Sequence, residues 1–335
     1  MTAPRLLVID AREGLRHFAR ERLVDVLRTG DLVVANDAAT MPASLHGVHV
    51  PSGETIEVRL AGWRSSSTDV ADFTAVVFGA GDFHTRTEDR PHPPVIAAGD
   101  TIALGPLTAA VTRLLGHPRL ICLHFSGSSD EIWAGIAHHG RPVQYAHVQS
   151  PLALWDVWTA VAGPPLAFEP PSAGFALDWR IIAALHAHTI GFSTITHAAG
   201  ISSTGDADLD VQLPFDEPYD IPLSTARAIA RTRATGGRII AIGTTVVRAL
   251  EHSARHDGTV HAGRDIATGR IGRGTQLRVV DAILTGVHER GTSHYEMLRA
   301  FADDVTLSAA DDELVAHEYR LHEFGDSVLV IPAVM

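Results

Sequence analysis

The sequence predicts an α/β fold: one layered α/β domain interrupted by an inserted antiparallel β domain. Two observations predict it. Helical and strand-like patterns alternate in the first part of the chain and again in its second half. Between about Val48 and Gly140 they give way to short alternating apolar runs, separated by Gly, Pro, Ser and Asp. The predicted division is residues 1–47 and 141–335 for the α/β domain and 48–140 for the insert. A chain of 335 residues, 45% hydrophobic and 20% charged, is large enough to bury such a core.

The elements follow in order. "EGLRHFARERLVDVLRTG" predicts a helix, with Phe18, Leu23, Val26 and Leu27 on one stripe and Gly30 as its stop, and "DLVVAN" predicts a buried strand. "ETIEVRLAGW", "DFTAVVFG", "DTIALG", "LTAAVTRLL" and "RLICLHF" predict a small antiparallel sheet or barrel. Cys122, the single cysteine, is expected as a packed thiol in the last of these. Farther on, "DWRIIAALHAHTIG", "LSTARAIARTRATGG" and "HYEMLRAFAD" predict helices, and "FSTITHAAG" and "RIIAIG" predict strands.

The segment "IIAIGTTVVRALE", Ile239 to Glu251, joins a buried strand to a helix through Gly-Thr-Thr. Such a turn points free backbone N–H groups beyond the sheet edge, a ready anion site. It also suits an ordinary threonine-capped connection.

Composition narrows the function. The net charge is −12 with histidines neutral, and every basic residue is arginine. A broad basic face for nucleic acid is therefore not expected, although a local arginine patch remains compatible with RNA. No apolar run reaches the roughly 20 residues that cross a bilayer, so no membrane association is expected. The lone cysteine and the absence of a signal-peptide pattern predict a cytoplasmic protein.

Metal motifs are weak. "GDADLDVQLPFDE" places Asp206, Asp208, Asp210 and Glu217 at calcium-loop positions, but Val211 replaces the turn glycine, so a solvated acidic loop is expected. His252 and His256 stand four apart without a third ligand and are expected as surface histidines. No P-loop or dinucleotide fingerprint occurs, and no metal is expected.

Five segments, "GDLVVANDAATMPASLHG", "PPSAG", "IIAIGTTVVRALE", "RVVDAILTGVH" and "HEYRLHEFGDSVLV", occur in an order that resembles the S-adenosylmethionine:tRNA ribosyltransferase-isomerase family of queuosine biosynthesis. The resemblance spans the whole chain. It implies an α/β/α sandwich-like domain with an inserted β-barrel. It also implies transfer and isomerisation of the ribosyl part of S-adenosylmethionine (SAM) onto an aminomethyl-deazaguanine base in tRNA, with release of adenine and methionine.

The polar pattern departs from the family's. Ala38, Ala39 and Ser44 replace a Thr-Arg pair and an arginine, Ala176 and Phe215 replace histidines, and Gly286-Val287-His288 retains only the histidine of Asn-Phe-His. His197 stands one place after the family's histidine position.

The resemblance assigns SAM binding to Asn36, Asp37, Ser172, Ala173, Gly174, Gly243, Thr244, Thr245, Arg248, Asp281, Tyr319 and Asp326. Within that set, the Gly-Thr-Thr turn and Arg248 suit a carboxylate, and Asp37, Asp281 and Asp326, with Glu217, suit a sulfonium. Proton abstraction from the ribose carbon beside sulfur needs a base, for which Glu217, His288 and His197 are candidates. Two alternatives stand beside this reading. One is a diverged paralogue with a small deazapurine as acceptor; the other is a SAM- or RNA-binding protein without turnover. The sequence leaves the oligomeric state open.

Overall fold

A computed structural model describes residues 3–64, 69–82, 84–321 and 324–332. The chain opens with a hairpin, β1 (Arg5–Asp10) and β2 (Gly14–Ala19), followed by a short 3-10 helix over Arg20–Val26. This corrects the helix expected from Glu13 onward. Asp10 accepts the N–H groups of Arg12 and Glu13, Gly14 turns the chain at φ +78°, and β2 pairs along all of β1. The apolar residues of the expected stripe still pack together without a helix: Leu23 and Leu27 are buried, and Phe18 and Val26 pack against the same core.

After β3 (Leu32–Asn36) and the short β4 (Ala39–Thr40) come the strands of the insert. These are β5 (Ser44–His49), β6 (Glu54–Trp63), β7 (Asp72–Gly79), β8 (Thr101–Leu104), β9 (Leu107–His117) and β10 (Leu120–Phe125). They close into an antiparallel barrel in the order β10-β7-β6-β5-β8-β9. Closure removes the open edges that a small sheet would expose. Inward residues such as Leu45, Val58, Phe73, Ile102, Val111 and Leu123 fill it, and Cys122 is buried as expected. Helix α1 (Ser129–His139), started by a Ser128–Glu131 capping box, packs Ile132 and Ile136 on that core.

The chain then supplies β11 (Pro165–Ala167), α2 (Trp179–Ala187), β12 (Gly191–His197), α3 (Ala207–Asp210), β13 (Glu217–Ile221) and α4 (Leu223–Ala234). Next come β14 (Ile239–Ile242), α5 (Thr244–Ser253), β15 (Gly263–Ala267), β16 (Ala282–Gly286), α6 (Ser293–Leu298), α7 (Asp304–Ala316) and β17 (Ser327–Ile331). The helix expected over "HYEMLRAFAD" stops at Leu298, and Asp303 caps a separate helix, α7.

Among the described residues, nine strands form the main sheet in the order β15-β13-β12-β3-β14-β16-β17-β1-β2. β12, β3, β14 and β16 run parallel, so their C-terminal ends share one edge. Alternation along β3 shows both faces covered. Leu32 and Val34 share a core cluster with residues of α4 and α5, while Val33 and Ala35 share another with α2 and the Leu23–Val24 turn. That two-sided burial is the predicted layered α/β/α arrangement. The barrel adjoins the sheet edge through Trp63, whose indole N–H donates to the Leu166 carbonyl at 2.9 Å, and through Phe168 and Ala198. No helix among the described residues is long and apolar enough to cross a membrane.

Candidate functional site

The candidate residues gather where the parallel strands end. Asn36 closes β3 and is buried. Its side-chain oxygen accepts from the N–H groups of Ala38 (3.0 Å) and His197 (2.9 Å). Its amide donates to the His197 carbonyl at 2.9 Å and to Thr245 Oγ1 at 3.3 Å. One side chain therefore ties β3 to the end of β12 and to the first turn of α5. Beside it, Asp37 accepts from Thr196 Oγ1 at 2.6 Å.

The Gly-Thr-Thr turn has the expected geometry. Gly243 sits at φ +90° as the N-cap of α5, with no side chain capping the helix, so its first N–H groups point past the edge. A Cβ on Gly243 would lie 3.2 Å from the Ala173 Cβ. Ser172, Ala173 and Gly174, on a 3-10 turn over Ser172–Ala176, thus cover this helix start. Gly174 is small for a similar reason: a Cβ there would stand 2.8 Å from Thr159.

Behind the turn lies a buried charged group. Arg248 pairs with Glu217 and donates to the carbonyls of Phe215, Ala267 and Gly269 at 3.1–3.3 Å. Glu217 also accepts the Gly200 N–H at 2.6 Å. This revises the expectation that Arg248 is available to a substrate carboxylate, because its guanidinium is already held and is buried. Burial pushes Glu217 above the ordinary carboxylate range, against the pull of Arg248 and the Gly200 N–H. His197 Nε2 lies 3.6 Å from Glu217 Oε2, and neither ring nitrogen makes a hydrogen bond. Burial, with the Arg248 charge added, holds His197 neutral, well below its usual pKa.

His288 follows the C-terminal end of β16, the strand next to β14. Its Nε2 meets Thr285 Oγ1 at 2.7 Å, and its ring stacks on His294 with centroids 4.7 Å apart. Burial and the Arg248 charge lower His294 to about 4.

Other candidates fall outside this group. Asp281 precedes β16 and accepts the Ile239 N–H at 2.8 Å, at the opposite end of the sheet. A five-residue strand separates it from the site by roughly 16 Å. Asp326 is buried, accepts from the backbone of Arg5 and Arg320, and pairs with both guanidiniums. Tyr319 lies under the Arg5 guanidinium and bonds His17 through its hydroxyl. These two lock the 319–326 segment to the start of β1. His322 and Glu323 of that segment lie outside the described residues.

The carboxylates of the acidic loop turn to separate partners within the protein. Asp206 caps α3 and pairs with Arg119, and Asp210 holds Ser203 and Thr204, while Glu217 faces Arg248. Of the two paired histidines, His256 is exposed as expected, but His252 is largely buried against the Tyr219 hydroxyl at 3.2 Å. Sequence reading missed Thr196, Thr285 and His294; Thr196 meets Asp37 across strands, while Thr285 and His294 lie three and six residues from His288 and gave no distinctive signal.

The chain is similar to known proteins along its whole length. The family model described as "Queuosine biosynthesis protein" matches residues 2–330. A curated S-adenosylmethionine:tRNA ribosyltransferase-isomerase from Ralstonia nicotianae is 32% identical, over 99% of this chain and 90% of its own length. One of the same name from Synechococcus elongatus is 27% identical, over 98% and 89%. The crystal structure of an S-adenosylmethionine tRNA ribosyltransferase from Thermotoga maritima shares the fold, with a TM-score of 0.51 at 22% identity, covering 98% of this chain and 93% of that one.

Proposed function

The chain belongs to the queuosine biosynthesis protein family, and from that premise we propose that it is an S-adenosylmethionine:tRNA ribosyltransferase-isomerase. It takes SAM as ribosyl donor and an aminomethyl-deazaguanine base of tRNA as acceptor, forming epoxyqueuosine in the cytoplasm. One observation carries the reading: segments from β3, β12 and β14 meet at one sheet edge, where Asn36 bonds both His197 and Thr245. Crevices at the C-terminal ends of parallel strands are where open α/β sheets bind ligands.

The residues fit SAM in three respects. The uncapped N–H groups at Thr244 and Thr245 suit its carboxylate. Asp37, half-buried at the edge, suits the sulfonium. The Ser172–Gly174 turn closes over the same place. Arg248 and Glu217 act from behind, holding the β13 start and the Gly200 backbone in position.

The base must reach the ribose carbon beside sulfur. His288 is only partly buried, and Thr285 orients its ring, so it is the proton acceptor in this scheme. Glu217 is the second candidate. The barrel, whose first strand β5 starts at Ser44, four residues before the expected boundary at 48, borders this edge through Ala198 and Phe168.

The test is chromatography of SAM incubated with the protein and either aminomethyl-deazaguanine tRNA or the free base. Adenine released only with tRNA supports the proposal. Adenine released only with the free base supports a paralogue, and none with either overturns turnover on these acceptors. His288→Asn is expected to lower turnover by roughly 10²–10⁴-fold with little change in SAM affinity. An equal loss in Glu217→Gln with His288→Asn active would move the base to Glu217.

A further inference from the structure

A second cluster of side chains lies away from the sheet edge, between the hairpin strand β2 and the end of α7. His17 projects from β2, and Glu313 and His317 stand four apart on the last turn of α7 and just beyond it. Each offers one ligand atom, and these atoms lie within 4.8 Å of one another. We propose that His17, Glu313 and His317 form a surface site for a divalent first-row transition ion, with zinc as the best match.

The donor set carries the choice of ion. Two imidazoles and one carboxylate suit zinc and its neighbours rather than calcium or magnesium, which prefer oxygen. Three protein ligands leave a position for water in a tetrahedral shell.

The arrangement is assembled without the ion. Glu313 Oε2 lies 3.1 Å from His17 Nε2 and 3.1 Å from His317 Nδ1, so one carboxylate already bridges the two rings. The rings lie side by side with centroids 4.3 Å apart. Tyr319 Oη meets the other nitrogen of His17 at 2.9 Å. When an ion replaces the Nε2–Glu313 hydrogen bond, the Tyr319 contact keeps the His17 proton on Nδ1, as in metal-bound histidines. The His317 Nδ1 also faces the Glu313 carbonyl at 3.0 Å, so its ring is held close to the helix end.

Arg5 is the nearby cation. It stacks on Tyr319 and donates to the His317 carbonyl, but its charge is paired with buried Asp326. It therefore steadies the backbone of one ligand while its own charge is offset. A bound ion would clamp the edge strand β2 to the end of α7 and stabilise the fold by linkage. None of these groups takes part in the proposed SAM chemistry, so the two readings stand or fall separately.

The test uses the full chain, stripped of metal with a chelator and titrated with zinc chloride by calorimetry. One ion per chain is expected. His17→Ala and His317→Ala should each weaken binding at least about tenfold, the lower end for disturbing a metal shell. With 20 histidines in the chain a control is needed. His124→Ala, an exposed barrel histidine paired with Asp72, should bind zinc as the parent does. Zinc should raise the melting temperature of the parent and of His124→Ala but not of His17→Ala. No binding by the parent, or undiminished binding in the His17→Ala/His317→Ala double variant with its fold intact by circular dichroism, overturns the site.

Discussion

Arg248 shows how one residue acquires a role that its position in a motif does not reveal. It is one helical turn past the Gly-Thr-Thr start, yet its side chain runs inward to Glu217 and three carbonyls. Removing one partner of a buried ion pair leaves the other charge without compensation, so Arg248→Ala should cost about 3–5 kcal/mol. Urea unfolding measures this, and a loss below about 1 kcal/mol would mean that Glu217 is satisfied without Arg248. His197 and His294 beside this pair are both kept neutral in the fold, His294 down to about 4 from 6.5. Their folded values lie below the unfolded one. Their contribution to stability is therefore full above pH 6.5 and declines as pH falls through the folded values. The unfolding midpoint should drop between pH 6.5 and 4, and His294→Gln should flatten that drop; an unchanged slope would assign the acid sensitivity elsewhere.

At the scale of elements, Glu251 explains why two distant motifs belong together. It ends the segment "IIAIGTTVVRALE" inside α5, and its carboxylate accepts the N–H groups of Arg278, Val279 and Val280 at 2.8–2.9 Å. Those residues open the segment "RVVDAILTGVH" that leads into β16. A single carboxylate thus satisfies three backbone donors in a stretch without regular structure and fixes how β16 enters the sheet. Glu251→Ala should destabilise by about 2–4 kcal/mol, since buried donors left unmade cost about 1–3 kcal/mol each and water recovers part of that. Thermal melting checks the loss. Because His288 closely follows β16, turnover should fall together with stability, whereas an active variant with a lowered melting temperature would separate the two.

For the whole molecule, charge governs the partner. A net charge of −12 without a single lysine opposes general attraction to a polyanion. If tRNA is bound, a few arginines must make the phosphate contacts. Each contact contributes roughly 0.7–0.9 to the slope of log affinity against log salt, so a slope shallower than about −3 is expected. Filter binding across a salt series measures it, and a steep slope would reveal a larger basic surface than the composition suggests.

The sequence alone determined the layered α/β domain, the inserted barrel and the family. These follow from hydrophobic period, turn residues and short motifs, which are local quantities. It also marked the Gly243–Thr245 turn as a strand-to-helix junction, because a buried apolar run closed by glycine before a helical stripe is a local signal, whereas Asn36 and His197 were singled out only by the family resemblance. Local pattern misjudged β2, where pairing with β1 along its full length overrode a helical stripe. Tertiary structure alone decided which motif residues meet. Asp281 fell at the far end of β16, and Asp326 and Tyr319 went to Arg5, although all three lie in family-like segments. The reason is physical: strand direction sets the end of a sheet at which a residue emerges, and a buried charge takes whichever opposite charge the fold brings nearest, hundreds of residues away in the case of Arg5 and Asp326.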